Sequence, residues 1–178
     1  MRKEIIISGQ GGQGIVLAGR ILANILFTEG YEVIQTQSYG SEARGGACKS
    51  EIIVSDMYIY DISMSCPEFI VTMSSQAYNR LSRKVIKGGV LIVDSTLVRK
   101  TKPRPDVSFY KVPATKIAAE TMKHKIVANM ILLGFLLEKL GFVKLGNAKN
   151  VISHEISAPI KDINILALEK GWKIASND

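Results

Sequence analysis

Apolar residues along this chain fall into short unbroken runs, separated by longer stretches in which they recur every three or four positions. The runs at 3–8, 68–73 and 90–94 carry Ile5-Ile6-Ile7, Phe69-Ile70-Val71 and Val90-Leu91-Ile92-Val93. They read as strands covered on both sides, since a wet face would force alternation. Residues 48–55 do alternate in part, Lys49 and Glu51 opposing Cys48, Ile52 and Val54, which predicts a strand with one wetter face. Shorter strands are expected at 32–36, 107–112 and 151–156. Helices are expected at 13–29, stopped by Gly30, and from Ser74 or Ser75 to about 87. Further helices are expected at 113–123 and at 125–140, the latter stopped by Gly141. The last is expected at 157–170, with Pro159 in its first turn and Gly171 past its end. Strands alternating with helices at these lengths predict an α/β fold, three-layer and Rossmann-like, with a mostly parallel sheet and helices on both faces. No repeat, low-complexity tract or linker interrupts the pattern, so residues 1–178 read as a single domain.

The turn after the first strand is Gly9-Gln10-Gly11-Gly12-Gln13-Gly14. This Gly-x-Gly-x-x-Gly spacing between strand and helix is that of a nucleotide-binding βαβ start. Its glycines allow a tight bend, close approach of a ligand or another backbone, and close helix–strand packing. The helix start behind it offers free N–H groups and partial positive charge, which suit a phosphate or carboxylate. A dinucleotide site also needs an acidic side chain at the end of the second strand. This chain has Gln35-Thr36-Gln37 there, and no Lys-Ser or Lys-Thr follows the turn as a P-loop requires. The turn therefore predicts a phosphate-sized niche or a packing device, and not an ordinary NAD site. Ligands on such folds sit at the carboxyl ends of the strands, which here carry residues 9–14, 37–46, 74–76 and 94–95.

Composition narrows this further. Of 178 residues 47% are hydrophobic and 22% charged, as in ordinary globular proteins, but the net charge is +7. The excess sits in two groups, Arg80-Arg83-Lys84-Lys87 and Arg99-Lys100-Lys102-Arg104. These are either solvated faces or an attraction for an acidic ligand or partner. No zinc-finger or ribonucleoprotein motif accompanies them, so nucleic acid is not expected. Cys48 and Cys66 form no Cys-x-x-Cys pair, and no metal or cluster site is expected from this chain alone. His124 and His154 have no nucleophile beside them and read as surface or packing residues, so no catalytic residue is assigned. The start of the chain enters a strand and not a secretion signal. The uncharged, mostly apolar stretch 126–137 is too short to span a bilayer, so a cytoplasmic protein that binds no membrane is expected.

The second informative segment is Gln37-Ser38-Tyr39-Gly40-Ser41-Glu42-Ala43-Arg44-Gly45-Gly46. Arg44 beside two glycines has the fork to hold a carboxylate or phosphate across open backbone, unless Glu42 pairs with it. Tyr39 is placed either to stack and donate a hydrogen bond or to pack the turn. Together with Gly9–Gly19, and with Ser75-Gln76-Ala77-Tyr78, Gly88-Gly89 to Asp94 and Asn129-Met130 with Leu133-Gly134, this segment resembles the gamma subunit of 2-oxoacid:ferredoxin oxidoreductases. Glu-Ala-Arg-Gly-Gly after Gln-Ser-Tyr-Gly is most similar to the 2-oxoglutarate branch.

The resemblance implies a holoenzyme that converts a 2-oxoacid and coenzyme A to acyl-CoA and carbon dioxide while reducing ferredoxin. It implies thiamine diphosphate, magnesium and iron–sulfur clusters on thiamine-binding and ferredoxin-like partner subunits, with ferredoxin an indirect partner. This chain would be a non-catalytic member of a hetero-oligomer, inactive alone. It would help form the coenzyme A region and a subunit interface through Gly9, Gly11, Gly12, Gln13, Gly14, Tyr39 and Arg44. The competing expectations are a scaffold that touches no ligand and a free-standing Rossmann-type oxidoreductase.

Overall fold

The computed structural model describes residues 1–40 and 46–178. Among the described residues six strands form: β1 (Arg2–Gln10), β2 (Glu32–Tyr39), β3 (Ala47–Ser55), β4 (Phe69–Thr72), β5 (Val90–Asp94) and β6 (Ser108–Val112). They form one sheet in the order β2-β3-β1-β4-β5-β6. β1, β4, β5 and β6 run parallel. β3 is antiparallel to both β1 and β2, so β2 points the same way as β1 but stands one strand away from it. A mostly parallel sheet was expected, and it forms. The wedge of β3 was not legible, because alternation assigns side chains to faces and says nothing of strand direction.

Successive side chains of β1 divide the core in two. Ile5 and Ile7, with Cys48, Ile52, Val54, Val71 and Ile92, face α1 (Ile15–Thr28), α3 (Ala114–Glu120), α4 (Ala128–Leu140), α5 (Leu145–Glu155) and α6 (Ala158–Ser176). Ile6, Ile70, Leu91 and Val93 face the other way, onto α2 (Ser75–Leu81) and coil, against Tyr78, Leu81, Val85 and Val98. Helices thus cover both faces, but unequally.

The first face is two helices deep. All but two of the 13 residues of α4 are buried, because it packs against β5, α1, α3 and α6 at once. That is why 128–137 carries no charge: this part of the helix has no solvent face to put one on. α4 and α6 meet at glycines. A Cβ on Gly134 would lie 2.0 Å from the Leu168 carbonyl oxygen, and one on Gly171 would lie 1.8 Å from that of Ile131.

Helix packing on this face corrects two expectations. Gly171 does not end the last helix, which continues to Ser176; the glycine is there for close approach. Residues 151–156 are not a strand but the end of α5, where Ala148, Val151 and Ile152 form a buried stripe at helical spacing. Packing on α1 and α6 overrides the β-preference of Val and Ile. Other boundaries move as well. α2 starts as expected, with the Ser74 hydroxyl accepting from the Ala77 N–H at 3.1 Å, but ends at Leu81 instead of 87. The helix expected at 113–123 ends at Glu120, and a 3-10 turn, Lys125–Val127, precedes α4. β2 runs on to Tyr39, so 37–39 is strand and not loop.

Candidate functional site: a plugged glycine turn beside a basic cavity

β1 ends at Gln10, and α1 begins only at Ile15, because Gly14 caps it in a left-handed conformation (φ 72°). A side chain at Gly14 would be strained there, and its Cβ would lie 2.3 Å from Nδ2 of Asn129. The Asn129 amide instead donates to the Gly14 carbonyl at 3.0 Å, pinning the turn to α4.

The turn itself is occupied by the protein. Oε1 of Gln13 accepts from the Gln10 N–H at 2.7 Å, and its Nε2 donates to the Met73 carbonyl at 2.9 Å. A Cβ on Gly9 would stand 2.3 Å from that same Oε1, so the space that glycine leaves open is filled by Gln13. The Gly11 N–H donates to Gly46 O at 2.9 Å and the Gln13 N–H to Gln10 O at 3.2 Å. Among the described residues, Gly12 and Gly14 are the turn positions whose amides have no partner in the protein.

Topology explains why the ribose-binding acid is missing. The strand beside β1 at the glycine turn is β3, with Cys48 opposite Gly9 and Ala47 opposite Gln10. The end of β2, where a dinucleotide site keeps its carboxylate, lies one strand further out. The chain leaves β1 toward β2 on one side and leaves β4 toward β5 on the other. The crevice at that switch point is where such folds hold ligands, and the Gln13 bridge from β1 to the end of β4 spans it.

An open cavity of about 300 Å³ lies beside the plug, on the α2 side of the sheet. Its walls are Ser8 and Gly9 of β1, Ser38, Tyr39 and Gly40 of the β2–β3 hairpin, Lys49 of β3, and Gln76, Arg80 and Lys84 in and after α2. Lys49 is paired with Glu51 at 2.6 Å. Arg80 and Lys84 are exposed and form no ion pair among the described residues. The cavity suits an anionic group. Its volume is at the small end for a ligand site, so it can hold part of a larger molecule such as a phosphate-bearing arm.

Gly9 and Tyr39 therefore share this cavity, while Gly11, Gly12, Gln13 and Gly14 lie in the adjoining turn. Arg44, and with it Glu42, lies outside the described residues. Lys49, Arg80 and Lys84 were not singled out as site residues, although 80–87 was marked as a basic group. Nothing in the sequence says that this group faces the β2–β3 hairpin. Asp94, at the expected ligand end of β5, is wholly buried. Its carboxylate accepts from Thr96 N at 3.1 Å and from both the amide (3.1 Å) and hydroxyl (2.5 Å) of Thr115, which makes it a staple between loops. Burial raises the pKa of the Cys48 thiol, the opposite of what a reactive cysteine needs. His154 sits in the last turn of α5 and His124 in the turn before α4. Among the described residues no three of His, Cys, Asp and Glu gather as metal ligands, and no helix is long and apolar enough to cross a membrane.

With this geometry in place, comparisons with known proteins identify the lineage. The model of the pyruvate ferredoxin/flavodoxin oxidoreductase family matches residues 4–174. The 2-oxoglutarate synthase subunit KorC of Methanocaldococcus jannaschii is 43% identical over 177 residues, covering 98% of this chain and 95% of the relative. The KorC subunit of Methanothermobacter marburgensis is 38% identical, covering 98% and 97%. The crystal structure of a keto/oxoacid ferredoxin oxidoreductase gamma subunit from Geobacter sulfurreducens superposes with a TM-score of 0.85 at 33% identity, covering 99% of both chains. The 2-oxoglutarate:ferredoxin oxidoreductase of Magnetococcus marinus, solved with 2-oxoglutarate, coenzyme A and succinyl-CoA, shares the fold at a TM-score of 0.87 and 22% identity. It covers 99% of this chain and 31% of that longer one.

Proposed function

Because the chain belongs to the pyruvate ferredoxin/flavodoxin oxidoreductase family, we propose that it is the gamma subunit of a 2-oxoglutarate:ferredoxin oxidoreductase, working only within a multi-subunit cytoplasmic complex. The observation that carries this reading is the end-to-end match, at 43% identity, to a subunit of 2-oxoglutarate synthase. In the complex, 2-oxoglutarate and coenzyme A become succinyl-CoA and carbon dioxide, and ferredoxin takes the electrons. Thiamine diphosphate with magnesium and the iron–sulfur clusters belong to the partner subunits. The whole chain acts as one gamma-type domain.

Its own contribution is to the coenzyme A region. The basic cavity supports this: Arg80 and Lys84 supply charge, and Gly9 and Tyr39 lie in its wall. Gly11, Gly12, Gln13 and Gly14 of the adjoining turn, and Arg44 by its sequence alone, complete the proposed set of binding residues. Phosphate oxygens are held by such forks and points of charge. The Gln13 plug favours a second reading, a scaffold whose glycine turn serves packing alone.

The two readings part in one experiment. In the assembled complex, Arg80→Glu/Lys84→Glu raises KM for coenzyme A about tenfold at unchanged KM for 2-oxoglutarate, the loss expected of one or two charge contacts. An unchanged KM for coenzyme A selects the scaffold. Turnover by the isolated chain overturns both.

A further inference from the structure

The excess positive charge is local. Eight of the 23 basic residues lie in 80–87 and 99–104, and the other fifteen are matched by sixteen acidic ones. From residue 69 to 105 the only acidic residue is Asp94, which is buried and stapled to Thr115. The fold brings the two basic groups together. The Lys102 N–H donates to the Tyr78 hydroxyl at 2.8 Å, and the Arg104 guanidinium donates to the carbonyls of Val85 at 2.8 Å and Arg83 at 3.3 Å. Arg104 is neutralised by Asp106, with Nε to Oδ1 at 2.9 Å.

An open groove of about 610 Å³ results between α2 and residues 102–105. Tyr78 and Leu91 lie buried at its base, and Arg83 and Lys102 stand on its edges. Those two side chains are exposed and unpaired among the described residues. Like charges gathered this closely raise a potential that attracts an anion or an acidic surface. The buried Tyr78 ring offers no face for a base to stack on, which disfavours a nucleotide or nucleic acid.

The character of the groove separates it from a permanent subunit contact, whose centre is apolar. Apolar exposure of that kind occurs elsewhere, at Met57, Tyr58, Tyr60 and Ile62. A wet, open, cationic groove suits a brief, electrostatically steered encounter. We propose that this groove docks the acidic face of the electron-carrier protein that the complex reduces, an inference that rests on the oxidoreductase reading above. The groove binds and orients the carrier, and the electrons pass from the partner subunits.

The test uses the assembled complex, assayed with ferredoxin and, separately, with methyl viologen as a small acceptor that needs no docking. Arg83→Glu/Lys102→Glu raises KM for ferredoxin tenfold or more, and Arg83→Gln/Lys102→Gln raises it by less. In both variants viologen-linked turnover and KM for coenzyme A stay as in the wild type. Wild-type kcat/KM for ferredoxin falls with added salt, since the Debye length shrinks to about 8 Å at physiological ionic strength, and the reversed variant shows a flatter salt response. An unchanged ferredoxin KM with viologen turnover intact overturns the proposal. So does loss of partner subunits on purification, which would make the groove a permanent interface, or a rise confined to the KM for coenzyme A. A wild-type complex that reduces no viologen with 2-oxoglutarate overturns the oxidoreductase reading itself, a result distinct from those.

Discussion

The two faces of the sheet are built from the same alternating strands and put to different use. On one, α1, α4 and α6 pack so closely that glycines stand where helices touch and the central helix has no exposed stripe. On the other, a seven-residue helix and coil cover β1, β4 and β5, and cations crowd both flanks of that helix. Depth of cover teaches the difference. A face two helices deep tolerates no extra atom, and a thin face keeps its grooves open. Both the basic cavity and the carrier groove lie on the thin side, separated by α2.

The comparison breaks most severely at the α4–α6 contact. Gly171→Val or Gly134→Leu drives side-chain atoms into backbone carbonyls with nowhere to move, so a loss of 3 kcal/mol or more is expected by urea denaturation. A chain that keeps wild-type stability with either change would show that the deep face is not close-packed. A smaller effect is expected where the two faces meet. Gln13→Ala removes acceptor and donor from the Gln10 N–H and the Met73 carbonyl, for a loss of about 1–3 kcal/mol. The vacated space at Gly9 would give the glycine turn the room for a ligand that Gln13 denies it. Equilibrium unfolding and ligand titration of the assembled complex check the two halves of that expectation.

The smallest effect belongs to the thin face. Hydrogen bonds from the Arg104 guanidinium hold the Asp106 carboxyl below the usual carboxylate range. A lowered pKa in the folded state contributes stability above the unfolded value of about 3.9, and that contribution fades as pH falls through the folded one. Asp106→Asn should therefore lower the urea midpoint slightly at pH 7, and the gap to the wild type should close as pH falls through the folded-state pKa. Both side chains are about one-third exposed to solvent, so screening keeps the effect small. A gap that persists in acid would assign the loss to something other than this ion pair.

Much of this was legible from residue pattern alone. The runs around Ile5, Ile70 and Leu91, the out-of-phase Lys49 and Glu51, and the glycine turn each correspond to local geometry that a few neighbouring residues determine. They carried the fold class, the strand faces and the family. The helical end at 151–156 was misread because its partners on α1 and α6 are far away in sequence, and local β-preference was the only signal at hand. Gly171 was misread for the same reason: a stop and a close contact look alike until Ile131 is brought against it.

The sequence by itself determined most of the segments that become strands and helices, which strand side chains turn inward, and that no acid stands ready for a ribose, all of these being properties of short spans. Only the tertiary structure decided that β3 separates β1 from β2, that Gln13 fills the space beside Gly9, and that Arg83 and Lys102, far apart in sequence, border one groove. Those facts depend on contacts between distant parts of the chain, where packing and not local preference selects the arrangement.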